Sequence, residues 1–165
     1  RPGTMSGAQP RAVPFAQFRP VSMSIESLLE DFAFLDDWED RYRYVIELGK
    51  GLAPLSEAEH NSETKVQGCV SQVWLVSEVA EEQGKITVLF RGDSDAHIVK
   101  GLIAILLEMY SGKSPEEILA IDAKEVFSKL GLDEHLSPQR SNGLYSMVNR
   151  ARADATAAIA GAQPA

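Results

Sequence analysis

Cys69 is the only thiol in the chain and the strongest nucleophile it offers. It lies in Val66-Gln67-Gly68-Cys69-Val70-Ser71-Gln72, directly after a glycine that lets the backbone bend. The chemistry open to it is attack at carbon or at sulfur, and the attacking species is the thiolate. A thiol of ordinary pKa, about 8.5, is only a few per cent ionised at pH 7. The competing role is structural, because free cysteine is among the most buried residue types. A single cysteine makes no intrachain disulfide and no all-cysteine metal site.

Other candidates carry weaker signals. Asp93-x-Asp95-x-His97 has metal-ligand residue types, but an oxygen-rich cage needs more ligands. Ser94 or Asp95 is better read as the cap of the helix that follows, where acids suit the positive end. Cys69 with His97 is a conceivable thiol–imidazole pair for hydrolysis. His60 and His135 fall in polar loops and are expected to be solvated. Gly112-Lys113-Ser114 looks like the end of a phosphate-binding loop, but Leu107 stands where the first glycine should be. Arg140, in Ser137-Pro138-Gln139-Arg140, is a cation in the first turn of a helix, where the dipole disfavours it. A cation kept there suits an anion or a partner.

The elements that must position these groups change character along the chain. Leu28, Leu29, Phe32 and Leu35 follow a helical stripe, with Ser27 and Glu30 at capping-box spacing. A second helix is expected from Asp37, carrying Trp38, Tyr42, Val45 and Ile46, and ending at Gly49 to Gly51. From Lys65 the residues become β-branched and aromatic: Val66 first, then Val70, Val73, Trp74, Leu75 and Val76. Gly68 splits that run into a short strand and a longer one. Ile86, Val88 and Phe90 alternate as a further strand after a hairpin loop at 81–84. Residues 96–110 are apolar nearly all round, so that helix is expected to be buried. Ser114-Pro115-Glu116-Glu117 and Asp122 with Glu125 open two more helices, and Ser137-Pro138 opens the last. The order predicts α+β: two N-terminal helices, a small three-stranded antiparallel sheet, then several C-terminal helices packed on it.

Composition narrows the function classes. The chain has 165 residues, 44% hydrophobic and 24% charged, as ordinary globular domains do. Its 16 Lys and Arg against 24 Asp and Glu give a net charge of −8, which argues against nucleic acid. The longest apolar run, Gly101 to Leu107, falls far short of the ~20 residues that span a bilayer. Residues 1–23 hold Arg1, Arg11 and Arg19, four prolines and no acid, and read as a disordered tail or an upstream extension. The domain is expected over 24–155, with a free tail over 156–165.

Several segments together are similar to a known family. Val66-Gln67-Gly68-Cys69-Val70-Ser71-Gln72-Val73-Trp74 resembles the signature of the SufE family, sulfur acceptors of cysteine desulfurases. The resemblance extends through Gly92-Asp93-Ser94-Asp95-Ala96-His97-Ile98-Val99-Lys100-Gly101-Leu102 and His135-Leu136-Ser137-Pro138-Gln139-Arg140-Ser141-Asn142-Gly143-Leu144. Trp38-Glu39-Asp40-Arg41-Tyr42 and Ile46-Glu47-Leu48-Gly49 fit the family's first helices. Coverage runs from about Ile25 to Arg152.

The resemblance implies a SufE/IscU-like α+β fold and a persulfide carrier. Its partner would be a SufS-type cysteine desulfurase, which carries the pyridoxal phosphate (PLP), while the carrier itself holds no cofactor and no metal. The acceptor cysteine falls on Cys69, and the sulfur would pass to the iron–sulfur cluster scaffold of the SUF system. Gln72, Asp95 and Arg140 match motif positions and are expected on the docking face or the cysteine loop. The carrier would stimulate the desulfurase without being an enzyme itself. Cytoplasm is the expected compartment, with a plastid the alternative if residues 1–23 were a transit peptide. Three other readings compete: an iron–sulfur scaffold, which needs several thiolates; a thiol hydrolase using His97; and an activator that accepts no sulfur.

Overall fold

The computed structural model describes residues 24–162. Expectations for residues 1–23 and for the last three residues lie outside that range. Seven α-helices and one antiparallel hairpin make up the described part, in the order α1 (Ile25–Ala33), α2 (Trp38–Gly49), β1 (Val73–Glu82), β2 (Lys85–Ser94), α3 (His97–Tyr110), α4 (Pro115–Ala120), α5 (Ala123–Leu130), α6 (Leu132–His135) and α7 (Pro138–Ala162). A 3-10 turn at Glu57–Glu59 lies between α2 and β1.

Local chemistry sets most of the boundaries. Asp37 Oδ1 accepts the Asp40 N–H at 2.9 Å and starts α2, as its position predicts. At α1 the cap is Ser24, whose hydroxyl accepts from Ser27 N–H at 3.1 Å, so Ser27 lies inside the helix instead of capping it. Ser114 and Glu117 form a complete capping box with Pro115 as the first helical residue of α4. Asp122 caps α5, and Gly131 ends it in the left-handed region.

The sheet has two strands, not three. Val73 pairs with Ser94 and the register runs without a break to Glu82 with Lys85, across a two-residue turn at Gln83-Gly84. The segment expected as the first strand makes one isolated bridge, Lys65 with Trp74. Val66 N–H donates to Val73 O and Leu75 N–H to Thr64 O, both at 2.8 Å. After Val66 the chain turns away at Gly68, so the ladder ends after two bonds.

One face of the hairpin carries Val73, Leu75, Val88 and Phe90, all buried, with β2 packed on α3 and β1 against α7. As its composition predicts, α3 is the central element: Leu102, Ile103, Ile105, Leu106 and Tyr110 are almost fully enclosed. It crosses α2 at Gly49 and Gly101. A Cβ on Gly101 would run into the Val45 carbonyl, and one on Gly49 would come within 2.6 Å of Gly101 N. These glycines let two backbones touch. The inner stripe of α7 is Leu144, Met147, Val148, Ala151, Ala155 and Ala158. That stripe carries the helix to Ala162, through a stretch the sequence predicts as a free tail from residue 156. Small alanines at helical spacing bury well against α4, which is why the helix does not fray there.

Candidate functional site

Cys69 stands on a loop that leaves the β1 edge at Val66 and rejoins it at Val73. The Val66 side chain is 3% exposed and closes the loop's entrance, while Val70 at the tip is 77% exposed. Gly68 has φ +93°, a conformation that side chains with a Cβ rarely adopt, and its Cα lies against α7. A Cβ there would meet Ser146 Oγ at 2.5 Å. The bend therefore turns Cys69 inward onto the helix.

The thiol is half-buried, and its Sγ–H donates to the Gly143 carbonyl at 3.5 Å. Gly143 leaves room for that approach, since even a Cβ at this position would stand 3.5 Å from Sγ. Burial pushes the Cys69 thiol above its ordinary pKa, because the anion would lose water without gaining a partner. Beside it opens a cleft of about 90 Å³, walled by Val73, Val99, Leu102 and Met147 and rimmed by Ser137, Gln139 and Arg140.

Arg140 therefore shares the cleft with Cys69, as its motif position suggests. Its backbone N–H donates to Ser137 Oγ at 3.2 Å and opens α7. Gln72 and Asp95 form a second group at the loop's exit. Asp95 Oδ1 accepts the Gln72 N–H at 3.0 Å, and the Asp95 N–H reaches Gln72 O at 3.3 Å. Asp95 thus ties down the cysteine loop and does not cap α3. The N-cap position of α3 is Ala96, with no side-chain cap, and Ser94 Oγ accepts the Ala96 N–H.

His60 is held, not solvated. Its Nε2 lies 2.8 Å from Asp93 Oδ2 and its Nδ1 2.8 Å from Ser56 O, and the ring meets Trp74 edge-on. Two acceptors on one imidazole favour the cation, and the hydrogen bond to Asp93 leads in raising the His60 pKa. Burial alone would raise the Asp93 carboxyl, but His60, the Ser94 amide and Lys100 together hold it below the ordinary range. Next to it, Arg91 makes a two-pronged pair with Glu59, at 3.0 and 2.5 Å, and lowers that carboxyl to about 2. His135 stacks on Trp38, with ring centroids 4.4 Å apart.

Asp93, Asp95 and His97 do not converge, and among the described residues no group of three His, Cys, Asp or Glu could hold a metal ion. His97 is exposed and does not line the cysteine cleft. No helix among the described residues is long and apolar enough to cross a membrane. The sequence reading missed Ser137, Gln139, Gly143 and Met147 as neighbours of the thiol. The available signal was the spacing 140, 143 and 147, one face of a helix that begins at Pro138.

The described residues form a small α+β domain that presents one half-buried cysteine on a tethered loop beside the start of α7. The family follows from comparison: residues 26–155 match the model of SufE, the Fe-S metabolism associated domain, and the chain belongs to that family. An uncharacterized SufE-like protein of Rhizobium etli is 59% identical over 132 residues, covering 80% of this chain and 89% of the relative. Another, of Rhizobium meliloti, is 55% identical over 132 residues, with 80% and 94% covered. The solution structure of a hypothetical protein from Thermus thermophilus superposes with a TM-score of 0.62 at 25% identity, over 84% of this chain and 99% of that one.

Proposed function

We propose that Cys69 accepts the outer sulfur of a persulfide held by a SufS-type cysteine desulfurase and passes it to the SUF iron–sulfur scaffold, stimulating the desulfurase as it does so. The PLP belongs to the desulfurase, and this chain needs no cofactor of its own. The observation that carries the reading is the placement of the single thiol: on a loop with an exposed tip, half-buried against α7, inside the span that matches the family.

The step balances without a redox partner. The Cys69 thiolate attacks the outer persulfide sulfur and forms a new S–S bond. The old S–S bond breaks and its electron pair leaves on the desulfurase cysteine as thiolate. In the free protein the raised pKa keeps Cys69 mostly as thiol, which protects it from stray electrophiles. Docking would supply the missing activation, either by drawing the loop out of its half-buried position or by bringing a base to the thiol. Arg140 at the cleft rim is suited to a persulfide anion or to an acidic group of the partner. The hydrolase reading loses its base, because His97 lies outside the cleft.

Intact mass after incubation with an active desulfurase, PLP and free cysteine, without reductant, tests the proposal. The expected result is a gain of one or more sulfur atoms, reversed by reductant and absent in Cys69→Ser. Stimulation of the desulfurase that persists in full in Cys69→Ser, with no mass gain in the parent chain, would leave an activator that carries no sulfur.

A further inference from the structure

The segment entering the cysteine loop meets β1 through one isolated bridge, at Lys65. Thr64 O and Val66 N–H face β1 and are paired there. Lys65 O, between them, faces away from β1, and Glu63 O lies in the turn over 62–64 that precedes the bridge. Backbone or water would normally satisfy both. Here one side chain does: Arg150 Nη2 donates to Glu63 O at 2.7 Å and Nη1 to Lys65 O at 3.3 Å. Asp154, one turn further along α7, accepts from Arg150 Nε at 3.3 Å and holds the fork in plane. An arginine suits this task because its rigid guanidinium offers two parallel donors, where lysine presents a single flexible ammonium.

Arg150 lies seven residues after Gly143, two turns along the same face of α7 or about 10.5 Å. The acceptor of the thiol and the clamp on the loop's entrance are thus parts of one rigid body. We propose that Arg150 is a positioning residue for Cys69: by holding the chain at Glu63 and Lys65, it sets how deeply the thiol rests against α7. The purpose of such a clamp rests on the sulfur-acceptor reading, but its effect on the thiol does not. With the fork removed, the two carbonyls turn to water, the entrance segment loosens, and Cys69 rises out of the cleft.

The test is the rate of Cys69 alkylation by iodoacetamide across pH, in the full chain and in Arg150→Met and Arg150→Lys. Arg150→Met should move the midpoint of the rate–pH profile downward and raise the rate at neutral pH severalfold. Arg150→Lys, able to serve one carbonyl, should fall between. A general loss of stability would not order the three profiles this way. Superimposable profiles for the parent and a folded Arg150→Met would overturn the proposal. If Arg150→Met does not fold, Arg150→Lys and Asp154→Asn decide it: a downward midpoint supports the clamp, and an unmoved one refutes it. No desulfurase takes part, so failure to load sulfur sinks the acceptor reading while the alkylation result still judges the clamp.

Discussion

Both edges of the β1–β2 hairpin are covered by short irregular segments that contribute two backbone hydrogen bonds each. On the β2 edge, Val88 N–H donates to Lys113 O and Gly112 N–H to Val88 O. On the β1 edge the corresponding pair joins Val66 to Val73 and Leu75 to Thr64. What lies behind each segment differs. The β2 cover is the turn between α3 and α4, set between buried Tyr110 and buried Pro115, with Ser111 Oγ accepting the Phe90 N–H at 2.9 Å. The β1 cover has one buried residue, Val66, one arginine fork from α7, and then a loop whose tip faces water. Sealing an edge takes only two hydrogen bonds. Whether the seal is rigid depends on the apolar packing behind it, and the reactive group sits on the side with less of it.

Three changes break or sharpen that contrast. The largest effect on stability is expected at the packed edge: Ser111→Ala leaves the Phe90 N–H without its partner, at a cost of about 1–3 kcal/mol. Its unfolding midpoint in denaturant should fall, while Cys69 alkylation stays as in the parent; a faster-reacting thiol would mean the two edges are coupled. Gly68→Ala should cost somewhat less, about 1–2 kcal/mol for the left-handed backbone. Its larger effect should be on chemistry, because the new methyl meets Ser146 and lifts the loop from α7. Alkylation at neutral pH should speed up severalfold, and an unchanged rate would show that the bend does not set the thiol's depth.

The smallest effect concerns the ionic contacts at the 56–60 turn. Glu59 is lowered in the fold from 4.5 to about 2, so its contribution is present above about pH 4.5 and is lost as pH falls toward 2. His60 is raised above 6.5, so its contribution is complete below 6.5 and is lost as pH rises through the folded value. Denaturant midpoints across pH should therefore fall off on both sides. His60→Asn should flatten the basic side alone; a basic limb that survives in this variant assigns it to another group.

The same contrast explains what was readable in the chain. The packed side wrote itself into periodicity: the largely apolar helix over 97–110, the capping box at Ser114 and the alternation of Val88 and Phe90 follow from burial and backbone hydrogen bonding. The β1 side is built from contacts between distant residues. Val66 has strand chemistry, yet it makes only the start of a ladder because Gly68 bends the chain toward Ser146, 78 residues further on. Asp95 has cap chemistry but spends its carboxylate on Gln72. His60 has loop surroundings, yet it finds Asp93, 33 residues away. Cys69 was legible as the candidate nucleophile because the sequence holds no other thiol. Its half-burial was not, because that comes from the face of α7 on which Gly143 lies. Arg150 left one local trace, the acid four residues after it on a helix, and that pattern more often marks a solvated ion pair.

The two ties on the cysteine loop also set a leash. Cys69 lies three residues from Val66, held at the entrance, and three from Gln72, held by Asp95. Three residues of fully extended chain span about 10 Å. While both ties hold, the Cα of Cys69 lies no farther than that from either mooring, and the sulfur reaches only a side chain's length beyond it. Under the sulfur-acceptor proposal, a partner that keeps its own sulfur deeper than this beneath its rim must loosen one of the ties for exchange to occur.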